Sequence, residues 1–369
     1  MDAFFASVEL LRYPELRGLP VVVGGRAADR PVLQPDGTRL FARLRDYVGR
    51  GVITTSTYEA RALGVFSAMG TMKAAKLAPN AILLPADFEA YRHYSSIFKK
   101  AVAAIAPVIE DRGIDEIYID LTAHAESTLE IAVRLKKVVC EATQLTCSIC
   151  VAENKLLAKI GSELDKPDGL TLLSREDIPK RIWPLPVGKV NGIGPKMAAK
   201  LNQLNILTIG DLAQTHIDFL QEHFGRNYAQ WLQRIAQGED NSPLATGSGC
   251  KSISRETTFE HDLHARDNKQ QLTPIFTRLC TRLAEDLKRK GYVARTIGIK
   301  LRYTDFRRIS RDLTLPEATA DAAVIRKAAG ECLRRVNLDH KFRLLGVKAS
   351  GLIRPEDALE YTLQKDLFE

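Results

Sequence analysis

The stretch GEDNSPLATGSG, at residues 238–249, divides the 369-residue chain into two parts. It is small, polar and rich in glycine and serine, which is typical of a flexible connection rather than of a helix or strand. A chain of this length is also too long to bury a single hydrophobic core, so more than one domain is expected. We therefore predict a linker at residues 241–250 between two mixed α+β parts.

Almost all of the excess positive charge lies on one side of this linker. Residues 248–354 contain 23 Lys and Arg against 12 Asp and Glu, whereas residues 1–247 contain 29 against 28. The tail 355–369 is acidic, with 1 against 5, and the formal net charge is +8. A basic block favours a partner with a phosphate backbone, because binding releases condensed counterions. On charge alone, a merely solvated basic surface is the alternative.

Composition argues against several other classes of protein. No apolar run reaches the roughly 18 residues of a transmembrane helix, and the N-terminus lacks the basic and cleavage regions of an export signal. Six irregularly spaced cysteines do not indicate a disulfide framework, and Cys147-x-x-Cys150 has no second pair to indicate zinc. We expect a cytoplasmic monomer without a membrane association.

Hydrophobic periodicity predicts helices packed over strands in the first 176 residues. VVVGG indicates a short buried strand, PADFEAYRHYSSIFKKAVAAIAP and TLEIAVRLKKVVCEAT indicate amphipathic helices, and LTCSICVA indicates another strand. PVIED and DEIYIDL alternate apolar and polar residues around Arg112-Gly113, which is typical of a β-hairpin. After Asp177 the pattern changes to short helices.

Two other segments carry predictions of their own. In residues 26–50, apolar residues recur at helical spacing from Leu40 to Val48 and predict a helix there. After the linker, KSISRETTF, RTIGIKLRYTDF, RISRDLTLP and KFRLLGVKASGLI predict four strands, with helices following Asn268 and Ala320.

Asp115 and Glu116 stand side by side where the hairpin turn meets its second strand. Neighbours on an ideal strand face opposite ways, but at the mouth of a twisted turn both carboxylates can reach one cleft. Such a pair is costly unless it binds cations, and Mg²⁺ takes carboxylate and phosphate oxygens as ligands. Without further context, a solvated hairpin is the commoner explanation of an Asp-Glu pair.

Five motifs supply the context. MDAFFASVE, TYEARALGV, IDEIYIDLT, NKLLAKIGSELDKPDG and VGKVNGIGPKMAAKL occur in the order seen in Y-family DNA polymerases, and the chain most resembles the DinB branch over essentially its whole length. The resemblance implies an α+β multidomain right-hand polymerase. Its parts are expected at residues 4–86 (fingers, with a long insertion 26–50), 87–176 (palm), 177–240 (helical thumb), 251–354 (little finger) and 355–369 (tail). The insertion either touches the template or pads the fingers.

The resemblance implies a palm with metal-binding carboxylates, two of which match Asp115 and Glu116. It further implies two Mg²⁺ ions, with Glu116 near the attacking hydroxyl. The third ligand of the family is the first aspartate of a D-x-D-x-F-F/Y stretch. Aligning on the aromatic pair makes Asp2 the second aspartate, which is not a ligand. The first would precede Met1, so we expect a chain that begins late, without its first palm strand.

Nucleotide contacts also follow from the resemblance. Tyr58, Arg61 and Lys159 match the triphosphate contacts of the family, and both cations suit phosphate oxygens. Phe5, beside Phe4, matches the steric gate, an aromatic wall that leaves no room for a ribose 2′-hydroxyl. The structural alternatives are that Arg61 and Lys159 only make a helix face soluble and that Phe5 only packs in the core.

The thumb motif VGKVNGIGPKMAAKL resembles a helix-hairpin-helix that grips DNA without reading its bases. Gly192 and Gly194 would let backbone amides approach a phosphate at the N-terminus of the next helix, where Lys196 adds a positive charge.

The terminal residues YTLQKDLFE resemble the short peptide by which bacterial polymerases bind their sliding clamp. Gln364, Leu367 and Phe368 would be its contact residues. Such a peptide needs an unstructured tail and two apolar side chains that fit a groove.

These features predict a template-directed DNA polymerase that adds dNTPs to the 3′-hydroxyl of primer-template DNA by two-metal nucleotidyl transfer. The resemblance implies low-fidelity translesion synthesis without proofreading. The alternative is a non-catalytic protein that binds DNA and the clamp, because a missing carboxylate would prevent the chemistry. A purely structural helix-hairpin-helix adaptor would not need the set Tyr58, Arg61 and Lys159.

Overall fold

The computed structural model describes residues 1–247 and 249–357. The chain divides into two compact units, residues 1–247 and 248–369. The division falls inside the segment predicted to be a linker. The clamp-binding residues Gln364, Leu367 and Phe368 lie outside the described residues.

The first unit contains short strands and ten α-helices among its described residues. The strands are β1 (Val21–Gly25), β2 (Val32–Leu33), β3 (Arg39–Leu40), β4 (Thr55–Ser56), β5 (Ile82–Pro85), β6 (Ile109–Asp111), β7 (Ile117–Ile119), β8 (Ile149–Val151) and β9 (Leu170–Leu172). The helices are α1 (Phe4–Arg12), α2 (Tyr58–Ala62), α3 (Thr71–Leu77), α4 (Phe88–Ala103), α5 (Thr128–Thr143), α6 (Lys155–Gly161), α7 (Pro195–Gln203), α8 (Ile209–Gln214), α9 (Ile217–Phe224) and α10 (Arg226–Ala236).

A three-stranded sheet in the order β4-β1-β5 forms the first core of this unit. The central strand β1 pairs in parallel with β5 and antiparallel with β4. Its three valines are buried completely, as expected of a strand covered on both faces. Gly24 follows them with φ 155°, and a Cβ there would lie 2.7 Å from the Val52 carbonyl oxygen, so only glycine fits.

The insertion 26–50 does not form the predicted helix. Its first half is a two-stranded hairpin, β2 with β3, and its second half contains only a 3₁₀ turn at Leu44–Asp46. The side chains of Val32 and Leu33 are exposed at the hairpin.

The free edge of β5 explains why the prediction was wrong. The insertion runs along this edge, where Leu44 N donates to Ala81 O and Leu83 N donates to Ala42 O. Leu44 and Tyr47 are buried because they enter the core of the sheet from that edge, not because they line one face of a helix. The second half of the insertion is therefore packed against the edge of the sheet.

The predicted hairpin forms from β6 and β7, which pair antiparallel. The long amphipathic helices α4 and α5 cover it, and their buried residues share a core with half-buried apolar side chains of both strands. Both helices begin at side-chain caps: Asp87 accepts from Ala90 N at 3.1 Å, and Ser127 forms a capping box with Glu130. These helices agree with the sequence prediction.

The last four helices of the first unit, α7 to α10, share a second core with α6. The loop before α7 is the predicted hairpin turn, and Gly192 has φ 102° there. A Cβ on Gly192 would lie 2.9 Å from the Trp231 ring of α10, so both the conformation and the packing require glycine.

In the residues that the structure describes, the second unit is one antiparallel sheet covered by two helices. Its strands are β10 (Ser252–Leu263), β11 (Val293–Tyr303), β12 (Arg308–Thr319) and β13 (Phe342–Ile353), in the order β10-β13-β11-β12. The helices are α11 (Lys269–Lys290) and α12 (Ala322–Arg334). All four strands and both helices were predicted.

An ion-pair group connects a helix of this unit to its sheet. The Asp286 carboxylate, on α11, accepts from Arg255 of β10 and from Arg289, which lies 2.6 Å away one helical turn later. The side chain of Asp286 is only 9% exposed. Among the described residues, no helix is long and apolar enough to cross a membrane.

Candidate nucleotide and metal site

The acidic pair lies at the mouth of the β6–β7 hairpin, as predicted, and both residues are half-buried. Glu116 Oε2 accepts from Lys159 Nζ at 2.9 Å, so the carboxylate is paired across to α6. The Asp115 carbonyl oxygen accepts from the Met1 amine at 2.9 Å. Asp2 N in turn donates to Thr146 O, so the first two residues run between the hairpin and the segment that leads to β8.

A second acid, Glu163, joins Lys159 to Lys166, which was not among the predicted site residues. Glu163 Oε1 lies 2.7 Å from Lys166 Nζ and 3.6 Å from Lys159 Nζ. Burial acts to raise the pKa of Glu163, but the two lysines outweigh it and lower that pKa. Burial acts to lower the pKa of Lys159, but Glu116 and Glu163 outweigh it, so this pKa is raised. Two lysines and two acids therefore form one cluster of charged groups.

Asp2, which was predicted not to be a ligand, is buried and hydrogen-bonded. It is 2% exposed, its Oδ1 accepts from Ser148 Oγ at 2.7 Å, and its Oδ2 accepts from Asp168 N at 2.9 Å. Within residues 1–247 and 249–357, no group of three His, Cys, Asp or Glu side chains is arranged to hold a metal ion. The carboxylates predicted to bind metal, those of Asp115 and Glu116, are adjacent in the chain and both residues are half-buried.

Tyr58 and Arg61 contact each other on the short helix α2. The Arg61 guanidinium lies 4.8 Å from the centre of the Tyr58 ring, and its Nε donates to Ser56 O at 3.2 Å. The Tyr58 hydroxyl is buried and has no hydrogen-bond partner in the described part of the chain. Burial raises its pKa to about 12, and the nearby charges of Asp2 and Glu163 act in the same direction. The charge of Glu163, a member of the charged cluster, therefore acts on this unpaired donor.

The two phenylalanines of α1 have different environments. Phe4 is 3% exposed and packs in the core, whereas Phe5 is half-buried. Phe5 stacks on Tyr91 with ring centroids 4.2 Å apart and an interplanar angle of 11°. Only Phe5 of this pair has ring surface left for a ligand.

The hairpin before α7 leaves its backbone accessible. Gly194 is the N-cap of α7, and nothing lies within 4 Å of the position of its missing Cβ. Lys196 is exposed in the first turn, and Ile193 anchors the loop in the core at 4% exposure. An anion could therefore approach the free amides of this nine-residue helix.

A cleft of about 450 Å³ also lies beside the hairpin and was not predicted. Its wall includes Tyr118, whose ring lies 5.7 Å from Lys155 Nζ. Lys155 also donates to the buried Glu110 at 2.8 Å. The sequence signal for these residues is weak, because a single Glu in a short strand and a Lys in a helix motif are ordinary surface residues.

Comparison with known proteins identifies the family. Residues 1–163 match the impB/mucB/samB family, residues 175–206 match the IMS family HHH motif, and residues 250–364 match the C-terminal domain of the impB/mucB/samB family. The chain belongs to the impB/mucB/samB family.

Relatives in the impB/mucB/samB family align over nearly the whole chain. A DNA polymerase IV of Methanoculleus marisnigri is 37% identical over 354 residues, which cover 95% of this chain and 92% of that protein. A DNA polymerase IV of Alkalilimnicola ehrlichii is 36% identical and covers 98% and 97% of the two chains.

The fold of this family member is similar to a solved structure. A Y-family DNA polymerase chimera superposes with a TM-score of 0.79 at 27% identity, covering 96% of this chain and 97% of that one. The predicted resemblance to Y-family polymerases and the predicted α+β multidomain fold are confirmed. The aspartate expected before Met1 stays a prediction.

Proposed function

We infer that this chain is a DNA-directed DNA polymerase that performs translesion synthesis. It extends a primer 3′-hydroxyl on a DNA template, with low fidelity and without proofreading. The observation that carries the proposal is the ion pair of Glu116 with Lys159, which brings the acidic hairpin together with one of the cations expected to bind phosphate. Relatives named DNA polymerase IV, aligned over almost the full chain, support it.

We propose that Asp115 and Glu116 hold Mg²⁺, two ions as the family resemblance implies. Two adjacent carboxylates fit a hard cation that takes oxygen ligands and completes its shell with substrate phosphates and water. When bound, Mg²⁺ stabilises the charge that develops on the attacking and leaving oxygens. Glu116 would lie near the attacking hydroxyl.

The nucleotide is held by groups of the first unit. The buried Tyr58 hydroxyl donates to a phosphate oxygen, which supplies the partner that it otherwise lacks. Arg61 offers a planar fork to the triphosphate, and Lys159 offers a point charge. Lys166, which shares Glu163 with Lys159, adds a second ammonium to the same cluster.

The half-buried Phe5 ring lies under the sugar and excludes a 2′-hydroxyl. In the reaction, the primer 3′-hydroxyl loses its proton to water, its oxygen bonds to the α-phosphorus of the dNTP, and the bond from that phosphorus to the leaving pyrophosphate oxygen breaks. The side chains named above orient these groups and neutralise their charge.

The DNA is held through its phosphates. Backbone amides around Gly192 and Gly194 and the ammonium of Lys196 bind a phosphate at the start of α7. The basic residues 248–354 add contacts to the backbone, so binding should weaken steeply as salt rises. We propose that the chain acts as a monomer.

Gln364, Leu367 and Phe368 would join the chain to a sliding clamp. Deleting the last six residues should abolish stimulation by the clamp and leave extension without the clamp unchanged. Clamp stimulation that survives the deletion would contradict this part of the proposal.

Primer extension with Mg²⁺ tests the main proposal, with DNA binding measured in parallel. We expect extension by the unchanged chain, its loss in Asp115→Ala, and its retention in Asp120→Ala. Asp120 is a matched control, because it follows the same hairpin and its Oδ1 accepts from Thr122 N at 2.9 Å. DNA binding without any extension would support the alternative, a non-catalytic DNA-binding protein.

A further inference from the structure

The accessible phenylalanine of α1 is held by a group of side chains from two helices. Phe5 and Glu9 lie four residues apart on α1, and both face Tyr91 of α4. The Tyr91 ring stacks on Phe5, and its hydroxyl donates to Glu9 Oε1 at 2.5 Å. Phe88, one turn before Tyr91, meets both rings edge-on at 5.9 Å and 5.8 Å. Phe5 is thus packed parallel to Tyr91, and the bond to Glu9 fixes the position of the Tyr91 hydroxyl.

Glu9 is an unusual residue for this position. It is 2% exposed, and burial raises the pKa of its carboxyl, although the Tyr91 hydroxyl and Arg12 act to lower it. Arg12 lies 3.8 Å from Oε2 and bonds more closely, at 2.6 Å, to Asp87. The close contact of the carboxyl group is therefore the Tyr91 hydroxyl.

Packing alone does not require this pair. A leucine and a phenylalanine would fill the same space without burying a carboxyl group and a hydroxyl. What the hydrogen bond adds is direction, because it fixes the hydroxyl end of the Tyr91 ring and so the line along which the ring lies against Phe5. Tyr91 itself is 0% exposed, so its effect on a ligand must pass through Phe5.

We propose that Glu9 and Tyr91 are positioning residues that set the sugar selectivity of this chain by holding the plane of Phe5. This inference rests on the proposed function of Phe5 as the wall under the sugar. A shift of the ring by a few tenths of an ångström changes the space below C2′, where the two sugars differ by one oxygen atom.

Nucleotide binding to a complex that cannot react tests the proposal. The full chain is bound to primer-template DNA with a dideoxy terminus and a templating dC, and Kd is measured for dGTP and for GTP with Mg²⁺. We expect the ratio of the GTP Kd to the dGTP Kd to fall roughly tenfold in Tyr91→Phe and in Glu9→Leu. Glu9→Gln keeps an acceptor for the hydroxyl, so its ratio should stay within about twofold of the unchanged chain.

A double variant separates positioning from general loosening. If both residues act through one hydrogen bond, the double variant with Tyr91→Phe and Glu9→Leu should have a Kd ratio no lower than that of either single variant. Tyr94→Phe is the matched control, because it removes the same atom from the same helix at a residue without a ring contact to Phe5. Phe5→Ala gives the ratio expected when the wall is absent.

The outcomes distinguish the two proposals. Ratios that stay unchanged in Tyr91→Phe and Glu9→Leu, while Phe5→Ala lowers the ratio, would overturn the positioning role and leave the wall intact. An unchanged ratio in Phe5→Ala would overturn both roles. If the variants change the Kd ratio as expected but the unchanged chain never extends a primer, the result would count against the polymerase and leave the positioning inference standing.

Discussion

Lys159 Nζ lies 2.9 Å from Glu116 Oε2. Lys159 is on α6, whereas Glu116 is in the turn that precedes β7. One was predicted to bind phosphate and the other to bind metal. In the structure they neutralise each other, and Glu116 helps to raise the pKa of Lys159. Nucleotide and metal binding should therefore be coupled, because each ligand replaces one partner of this ion pair.

Replacing Lys159 with Gln removes the charge and keeps most of the side chain. A hydrogen bond to a charged group contributes about 1.5–3 kcal/mol, so kcat/KM for dNTP should fall roughly 10- to 100-fold. Steady-state primer extension measures it. Lys137→Gln, on the exposed face of α5, is the control and should have no effect. Equal losses in both variants would exclude a specific role for Lys159.

Phe5→Ala should admit ribonucleotides, because it removes the ring proposed to lie under the sugar. We expect the kcat/KM ratio of dNTP over rNTP to fall by at least about tenfold, since a clash with the wall disfavours the ribose. Single-nucleotide incorporation measures this ratio. Phe66→Ala, at a side chain that is 52% exposed, is the control. Unchanged discrimination in Phe5→Ala would show that another group selects the sugar.

Gly192 and Gly194 should respond differently to alanine. Gly192 has φ 102° and lies against Trp231, so Gly192→Ala should destabilise the chain by ~1–3 kcal/mol. Gly194→Ala meets no protein atom and should fold normally, but its methyl group would obstruct a phosphate at the N-terminus of α7. Thermal unfolding and DNA binding at fixed salt measure the two effects. Normal DNA binding by Gly194→Ala would place the phosphate elsewhere.

The Asp286 group should make the second unit sensitive to acid. Its hydrogen bond with Arg255 lowers the pKa of Asp286 from 3.8 to about 2, against the effect of burial and with the help of Arg289. A carboxyl group whose folded pKa is lowered stabilises the fold above its unfolded pKa and loses this contribution as pH falls towards the folded value. The loss should therefore occur between about pH 4 and pH 2.

Urea unfolding at pH 6 and pH 2.5 tests this effect. Asp286→Asn should lower the free energy of unfolding of the second unit at pH 6 by at least about 1 kcal/mol. The free energy of unfolding of this variant should also change less between pH 6 and pH 2.5 than that of the unchanged chain. The same pH dependence in both proteins would mean that other carboxyl groups cause it. Asp305→Asn, at an exposed turn between β11 and β12, is the control.

Local patterns were enough to predict most elements and several candidate site residues. The four strands and two helices of the second unit follow from alternation and helical spacing, which depend on neighbouring residues alone. The acidic hairpin was also evident, because its turn and both strands lie within a few residues. The predicted helix near Leu44 failed, because its apolar residues are buried at the edge of a sheet whose strand β5 begins 38 residues later.

The sequence by itself determined the family, the order of the elements and the chemical types of the candidate site residues, because motifs and periodicities are local properties of the chain. Only the tertiary structure decided which of these residues meet. Glu9 and Tyr91 are 82 positions apart, and Glu116 and Lys159 are 43 apart. Such pairs form because packing of helices against the sheet and hairpin brings distant segments together, and no periodicity along the chain records that packing.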